Sequence, residues 1–311
     1  MVYTTAVSPQ AAGPHLHDPE WVFVDCRFDL ADTEAGRQAY ELAHIPGAAH
    51  VHLDEDLSGP VVAGKTGRHP LPPKEKAEQL LSRLGIHPTT QVVAYDDAGG
   101  AMAAARLWWM VQWAGHRASA VLDGGIGAWA ARGLPVTDDL PDRAPSDFVA
   151  HWRDDLVVDA EAVAAAARRG ARLVDARAAD RYRGENETID PVAGHIPGAV
   201  SLPYESLLSS DKRLLPRRQL VRQIAAVTGG GSIEDAILYC GSGVTSAHTV
   251  LAVAYSTDRM PKLYAGSWSD WIVDAGRPVE RGDGPGRRLD HGQPSSPISR
   301  RSGTTPSTSS E

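Results

Sequence analysis

The sequence is poor in cysteine, and it lacks a long apolar segment. Cys26 and Cys240 are the two cysteines among 311 residues, which excludes a small domain built on disulfides, and we do not expect these two to pair. No apolar run approaches the ~18 residues that cross a bilayer, and the first residues, MVYTTAVSPQ, lack the charged and apolar parts of a secretion signal. We therefore expect a cytoplasmic protein with reduced thiols and no membrane partner.

Basic charge is also scarce. Lysine and arginine total 31 against 39 acidic residues, a net charge of -8, so the chain lacks the basic excess of a nucleic-acid-binding protein. Its histidines and cysteines have no spacing typical of a metal site, and the glycine-rich segment Thr228–Asp235 lacks the lysine of a phosphate-binding loop. We expect no nucleic-acid partner, no metal and no organic cofactor.

The sequence contains an internal duplication. Four blocks occur twice in the same order, which indicates two copies of one domain. The matched blocks are VFVDCRFD (Val22–Asp29) with ARLVDARAAD (Ala171–Asp180), AHIPGAAHV (Ala43–Val51) with GHIPGAVSL (Gly194–Leu202), VVAYDDAGG (Val92–Gly100) with AILYCGSGV (Ala236–Val244), and LDGGIGAW (Leu122–Trp129) with YAGSWSDW (Tyr264–Trp271). We predict a first domain at 1–137, an ordered linker rich in Pro and Asp at 138–155, a second domain at 156–280 and a disordered tail at 281–311.

Within each copy, short β-rich runs alternate with helical stretches such as the Ala-rich, amphipathic AAARLWWMVQWAG. This alternation predicts an α/β fold in which each domain is a doubly wound, mostly parallel sheet with helices on both faces. Ligands of such sheets bind at the carboxyl ends of the strands.

The segment AILYCGSGVTSAH places Cys240 between a predicted strand and a predicted helix over Ser246–Ala254. Unpaired N–H groups and the dipole at a helix start stabilise a thiolate, and Gly241 and Gly243 allow the backbone to approach the sulfur closely. The alternative is a buried structural cysteine. A cysteine phosphatase would need an arginine six positions after the cysteine, where this chain has Ser246.

The CGSGVTS loop resembles the active-site loop of two-domain rhodanese-like sulfurtransferases, in the form typical of 3-mercaptopyruvate sulfurtransferases. Thiosulfate-specific relatives usually have basic residues directly after the cysteine, whereas this chain has Gly241 and Ser242. The resemblance implies two tandem rhodanese-like α/β domains and a persulfide on Cys240, held by the loop amides of Gly241, Ser242, Gly243, Val244 and Thr245. Asp96 aligns with Cys240, so the first domain should be catalytically silent and should wall the cleft.

The resemblance also implies further site residues. Arg181 matches the arginine that binds the carboxylate of the donor, but the second such arginine falls near Asp190, and Arg183 is the candidate to replace it. Asp54, His69 and Ser242 match a set that polarises the carbonyl of the donor and manages its proton.

Other residues favour a structural interpretation. Arg177 is expected to pair with Asp175 at a strand end, and His44 and His195 belong to the duplicated HIPG turn. Trp268 is either a core residue or part of the cleft.

We therefore predict a sulfurtransferase that passes sulfur from 3-mercaptopyruvate to a thiol, a thioredoxin-like dithiol or cyanide. Three alternatives stay open: a thiosulfate sulfurtransferase, a non-catalytic sulfur-carrier or partner-binding module, and, least favoured, a phosphatase.

Overall fold

The computed structural model describes residues 2–229 and 233–283, which form two α/β domains. The first domain has strands β1 (Ala6–Val7), β2 (Trp21–Asp25), β3 (Ala49–His50), β4 (Gln91–Tyr95) and β5 (Ser119–Leu122) and helices α1 (Pro9–Ala12), α2 (Ala35–Leu42), α3 (Lys74–Arg83), α4 (Ala104–Trp113) and α5 (Gly125–Ala130). Its sheet has the order β1-β5-β4-β2-β3, and every pairing is parallel. The central strands β2 and β4 are buried along their whole length, as is usual where helices cover both faces.

The second domain repeats this order. It has strands β6 (Leu173–Asp175), β7 (Ala199–Ser201), β8 (Ile237–Tyr239) and β9 (Lys262–Leu263) and helices α6 (Ala160–Arg168), α7 (Ala179–Arg183), α8 (Arg217–Thr228), α9 (Thr245–Thr257) and α10 (Ser267–Trp271). The sheet order is β7-β6-β8-β9, again parallel, and Val157 forms a parallel bridge to Leu263 at the position that β1 occupies in the first domain. The predicted two-domain, doubly wound fold is confirmed.

The domains meet through α4 and α9, which pack against each other. The sequence indicates an amphipathic α4, and this prediction is wrong, because all ten of its residues are buried. One side of the helix covers its own sheet and the other contacts α9 of the second domain. A helix that is enclosed on all sides tolerates apolar residues all round.

The duplicated turns have the predicted structural role. Arg177 donates to both carboxylate oxygens of Asp175 at 2.6–3.1 Å, and Arg27 pairs with Asp25 in the same way in the first domain. The ring of His195 stacks on Tyr182 and bonds its carbonyl at 2.7 Å. His44 contacts Tyr40 equivalently. These pairs fix the loops at the ends of the sheets.

Residues of the segment 138–155, which the sequence predicts as a linker, bond the first domain. The Ser146 N–H donates to the carbonyl of Ser82 in α3 at 2.8 Å, and the Arg153 N–H donates to that of Trp113 in α4 at 2.8 Å. The ordered chain continues past residue 280, since the Gly282 N–H donates to the carbonyl of Arg183 at 3.1 Å. The rest of the predicted tail, 284–311, lies outside the described residues, as do residues 230–232 of the glycine-rich segment. In the part of the chain that the structure describes, no helix is both long and apolar enough to cross a membrane.

Candidate active site at the domain boundary

The loop that carries Cys240 joins β8 to α9, as the sequence predicts, and α9 starts at Thr245, one residue before the predicted Ser246. The Gly243 N–H donates to Cys240 Sγ at 3.1 Å, and the Cys240 N–H donates to Ser267 Oγ at 3.1 Å. Gly243 has φ of +81°, and a Cβ there would lie 2.1 Å from the carbonyl oxygen of Ala265. This position therefore requires glycine, and the tight turn aims an N–H at the sulfur.

The surroundings of the Cys240 thiol favour its ionised form. Burial raises its pKa, but the hydroxyls of Ser246 and Thr245 and the backbone N–H groups of Ser242 and Ser246 lower it more, so the pKa of Cys240 lies below its ordinary value. Both Cys240 and Cys26 are buried free thiols. A thiolate stabilised at a helix start is a nucleophile at neutral pH.

Asp54, His69 and Ser242 form a chain of contacts beside this loop, in which His69 and Ser242 share a hydrogen bond and the carboxylate of Asp54 lies beside the other ring nitrogen of His69. His69 Nδ1 lies 2.7 Å from Ser242 Oγ, and His69 Nε2 lies 3.2 Å from Asp54 Oδ1. Asp54 and His69 come from the first domain and Ser242 from the second, so the docking of the domains completes the chain. The structure thus brings together the three residues that the resemblance selects.

The protonation of His69 follows from its surroundings. Burial lowers the pKa of His69 to about 4, and the positive charges of Arg106 and Arg68 act in the same direction, so the ring is neutral at pH 7. The neutral ring carries a single proton, and the carboxylate of Asp54, 3.2 Å from Nε2, favours this proton on Nε2, which leaves Nδ1 to accept the Ser242 O–H. Asp54 has 43 % of its side chain exposed. Its role is therefore to orient the ring more than to charge it.

Two arginines, one from each domain, flank the loop at Gly241. A Cβ built on Gly241 would lie 2.9 Å from Arg68 Nη2 and 3.5 Å from Arg181 Nη1 and Nη2. Both guanidinium groups bond the carboxylate of Asp190, Arg181 at 3.0 Å. The sequence reasoning included Arg181 and missed Arg68. Arg68 precedes His69 in GRHPLP, and this adjacency could have identified it, because a segment that places one residue at a site also places its neighbours near that site.

Arg183 does not join these arginines. Its guanidinium pairs with Glu185 at 2.7 Å and with Asp283 at 3.5 Å, and both carboxylates are exposed. Arg183 and Arg181 are both in the short α7, but a separation of two residues on a helix turns their side chains to different sides. The second arginine beside Gly241 is thus Arg68, in place of the predicted Arg183.

Arg106 is a further residue that the sequence reasoning missed. It lies in α4, is fully buried, and donates to the carbonyl of Gly243 at 3.0 Å and to that of His69 at 3.2 Å. One guanidinium group therefore holds both the cysteine loop and the segment that carries His69. Burial lowers the pKa of Arg106 to about 10, and the negative charge of Cys240 opposes this shift.

The corresponding loop of the first domain is occupied by its own carboxylate. Asp96 follows β4 and accepts four backbone N–H bonds at 2.7–3.3 Å, from Ala98, Gly100, Met102 and Ala104. Burial raises the pKa of Asp96 to about 6 against the effect of these donors. The carboxylate fills a nest of amides, so this loop has neither a thiol nor room for an anion.

Trp268 belongs to the core of the second domain, since its side chain is fully buried and its Nε1–H donates to the carbonyl of Val192 at 2.9 Å. The guanidinium of Arg177 lies 4.8 Å from the centre of its ring. Of the two interpretations left open, the structure supports the core residue.

Glu34, His52 and Glu55 have potential metal-ligand atoms within 4.8 Å of one another. Both ring nitrogens of His52 are already engaged: Nε2 bonds the carbonyl of Thr33 at 3.0 Å, and Nδ1 accepts the N–H groups of Asp54 and Glu55. In this arrangement the ring has no lone pair left for an ion.

Comparison with known proteins agrees with this architecture. The family model "Rhodanese-like domain" matches residues 8–132 and 159–274. The chain is 44% identical over 279 residues to a probable 3-mercaptopyruvate sulfurtransferase of Pseudomonas aeruginosa, covering 89% of this chain and 98% of the relative. It is 38% identical over 265 residues to a putative thiosulfate sulfurtransferase of Mycobacterium tuberculosis, covering 83% and 90%.

Among solved structures, SseA from Escherichia coli, described as a 3-mercaptopyruvate sulfotransferase with the rhodanese fold, matches with a TM-score of 0.74 and 30% identity. The match covers 86% of this chain and all of that one. The chain therefore belongs to the rhodanese-like family and carries two such domains in tandem.

Proposed function

We propose that this sulfurtransferase moves a sulfur atom from 3-mercaptopyruvate to a thiophilic acceptor through a persulfide on Cys240. The observation that carries the proposal is the chain from Asp54 through His69 to Ser242, which ends beside the nucleophile. A donor with a carbonyl group and a thiol proton needs such a proton relay. The names of the relatives from Pseudomonas aeruginosa and Escherichia coli support the same donor.

The first half-reaction balances without a redox partner. The Cys240 thiolate attacks the sulfur of mercaptopyruvate, the carbon–sulfur bond breaks, and its electron pair leaves on carbon as the enolate of pyruvate. Ser242 takes the thiol proton of the donor and passes its own to His69 Nδ1, and the return of a proton along the same path to that carbon gives pyruvate and a Cys240 persulfide anion. In the second half-reaction an acceptor thiolate takes the terminal sulfur and Cys240 returns as thiolate.

The residues around the sulfur then have separate roles. Arg181 and Arg68 bind the carboxylate of the donor, because planar guanidinium groups match a carboxylate in geometry and charge. The loop amides of Gly241, Ser242, Gly243, Val244 and Thr245 hold the terminal sulfur of the persulfide. We propose a thiol or a thioredoxin-like dithiol as acceptor, with cyanide as a substitute, in the reducing cytoplasm.

Thiosulfate is the second candidate donor. Its anionic head suits the same arginines, and the relative from Mycobacterium tuberculosis is named for it. With thiosulfate the Cys240 thiolate attacks the outer sulfur and sulfite leaves. This step needs no proton transfer, so it would not require Asp54 and His69. A non-catalytic carrier would need no lowered thiol pKa, which makes it the weaker alternative.

The test is persulfide formation in a single turnover, followed by intact mass. Wild-type protein should gain one sulfur atom on Cys240 from mercaptopyruvate, and Cys240→Ser should gain none. His69→Ala should slow loading from mercaptopyruvate about 10²-fold or more, as loss of a proton relay does, and should change loading from thiosulfate far less.

Equal slowing of both donors in His69→Ala would contradict the relay and favour a structural role for the ring. Faster loading of the wild type by thiosulfate than by mercaptopyruvate would move the assignment to thiosulfate sulfurtransferase. Retained sulfur transfer in Cys240→Ser would refute the nucleophile.

A further inference from the structure

Asp190 is a buried carboxylate between the two arginines that flank the cysteine loop. Its side chain is 2 % exposed, while the side chains of Arg68 and Arg181 are 31 % and 17 % exposed. One oxygen of Asp190 bonds Arg68 and the other bonds Arg181 at 3.0 Å. The acid thus lies behind the arginines, whose other N–H groups face Gly241.

The charges of this cluster cancel. Arg181 also pairs with Glu187 at 2.9 Å, and Glu187 pairs with Arg177 at 3.3 Å. Arg177 in turn pairs with Asp175 at 2.6 Å. The cluster contains three guanidinium groups and three carboxylates, namely Arg68, Arg177, Arg181, Asp175, Glu187 and Asp190. Within this cluster the positive charges of the arginines are therefore matched, and Arg68 and Arg181 offer N–H donors to a bound anion without a surplus of positive charge from the cluster.

We propose that Asp190 makes this subsite selective for donors with a monoanionic head, a carboxylate, over donors with a dianionic head such as thiosulfate. The inference rests on the proposed function for one point, that Arg68 and Arg181 bind the head of the donor. Both a monoanionic and a dianionic head can accept hydrogen bonds from the N–H groups of Arg68 and Arg181. The second negative charge of a dianion finds no matching excess charge, and it is repelled by the buried carboxylates.

The effect scales with the charge of the ligand. A point charge that is removed near the site changes the interaction energy of a dianion by twice the change for a monoanion at the same place. Asp190→Asn removes one negative charge, keeps the shape, and keeps one acceptor oxygen for an arginine. The preference should therefore shift toward the dianion, and we expect a change in relative affinity of at least about tenfold.

The test compares anion binding and sulfur loading. In a Cys240→Ser background, calorimetry measures the affinities of sulfate, a dianion, and pyruvate, a monoanion. Asp190→Asn should raise the affinity for sulfate relative to pyruvate at least about tenfold. With Cys240 present, Asp190→Asn should also raise the rate of persulfide formation from thiosulfate relative to the rate from mercaptopyruvate. Asp211→Asn removes an exposed carboxylate that pairs with Arg213, and it should leave both ratios unchanged.

Equal changes for both anions, in either direction, would overturn the proposal, since Asp190 would then only hold the arginines in place. If Asp190→Asn fails to fold, Asp190→Ser takes its place, because it also removes the negative charge and should also raise the affinity for sulfate relative to pyruvate. A wild-type protein that neither donor loads with sulfur would refute the proposed function, while the sulfate-to-pyruvate ratio would still decide the role of Asp190.

Discussion

Arg106 presents an energetic problem at the scale of one residue. Its guanidinium is fully buried, its hydrogen bonds go to carbonyls, and among the described residues its Nε has no hydrogen-bond partner. A buried cation is costly unless an anion lies close. An ionised Cys240 supplies that charge, because the Gly243 N–H bonds its sulfur while the Gly243 carbonyl accepts from Arg106. The two groups therefore stabilise each other in their ionised forms.

Arg106→Gln should raise the pKa of Cys240, because the thiolate loses a nearby positive charge. The pH dependence of alkylation by iodoacetamide measures this pKa. Arg106→Lys keeps the charge and should give a smaller shift. Arg83→Gln, which removes an exposed arginine of the same domain, should give none. An unchanged pKa in folded Arg106→Gln protein would contradict the pairing.

At the scale of elements, the two copies of the strand–loop–helix unit have diverged in what fills the loop. In the second domain the loop amides surround a sulfur, and in the first they surround the carboxylate of Asp96. Lys212 of the second domain covers the first loop and donates to the carbonyl of Asp97 at 2.8 Å. The first copy has thus kept the anion-binding geometry of its loop and uses it to stabilise the fold.

Asp96→Ala should lower the free energy of unfolding by about 2 kcal/mol or more at pH 7. It leaves four buried N–H groups without their acceptor, at about 1–3 kcal/mol each. This loss exceeds the roughly 3 kcal/mol that is regained when the buried charge is removed, since burial raises the pKa of Asp96 to about 6. Urea unfolding measures the loss. The exposed neighbour provides the matched control, and Asp97→Ala should change stability little. A free energy of unfolding equal to that of wild type would show that the hydrogen bonds to Asp96 do not stabilise the fold.

At the scale of the whole molecule, the site exists only while the two domains are docked. The docking surface contains a buried histidine, His248 of α9, which lies against Gly100 of the first domain. Neither ring nitrogen of His248 has a hydrogen-bond partner among the residues that the structure describes. Burial lowers the pKa of His248 to about 4, so the ring is neutral in the folded protein at pH 7.

This histidine should make the folded protein sensitive to acid. The unfolded chain binds a proton to His248 below about pH 6.5, whereas the folded protein does so only near pH 4, so stability falls as the pH drops through that window. The loss amounts to about 3 kcal/mol between the two pKa values. His248→Leu should remove that part of the pH dependence, as measured by urea unfolding at pH 7 and at pH 4.5.

His17→Leu is the control for the acid effect. His17 is exposed, and its replacement should leave the slope of stability against pH unchanged. If His248→Leu unfolds with the same pH dependence as wild type, the ring is protonated or solvated in the folded state, and the assignment of a neutral, buried ring is wrong.

The sequence by itself determined the duplication, the parallel α/β domains and the loop that holds Cys240, because these depend on local patterns. Strand runs, turn glycines and helix starts act over a few neighbouring residues, and a duplicated pattern repeats them in order. The resemblance carried by the CGSGVTS loop also selected Asp54, His69, Ser242 and Arg181, which the structure brings to one boundary.

Only the tertiary structure decided which other charges reach that boundary. Arg106 meets Gly243 across 137 residues of chain and Arg68 meets Asp190 across 122 residues, and no local periodicity encodes such distances. Arg183 is two residues from Arg181 in sequence, yet its side chain pairs at an exposed edge. The burial of α4 on all sides has the same origin, since the second domain covers the side of the helix that one domain alone would expose. Contacts of this kind follow from how two folded surfaces fit together, which is a property of the docked pair.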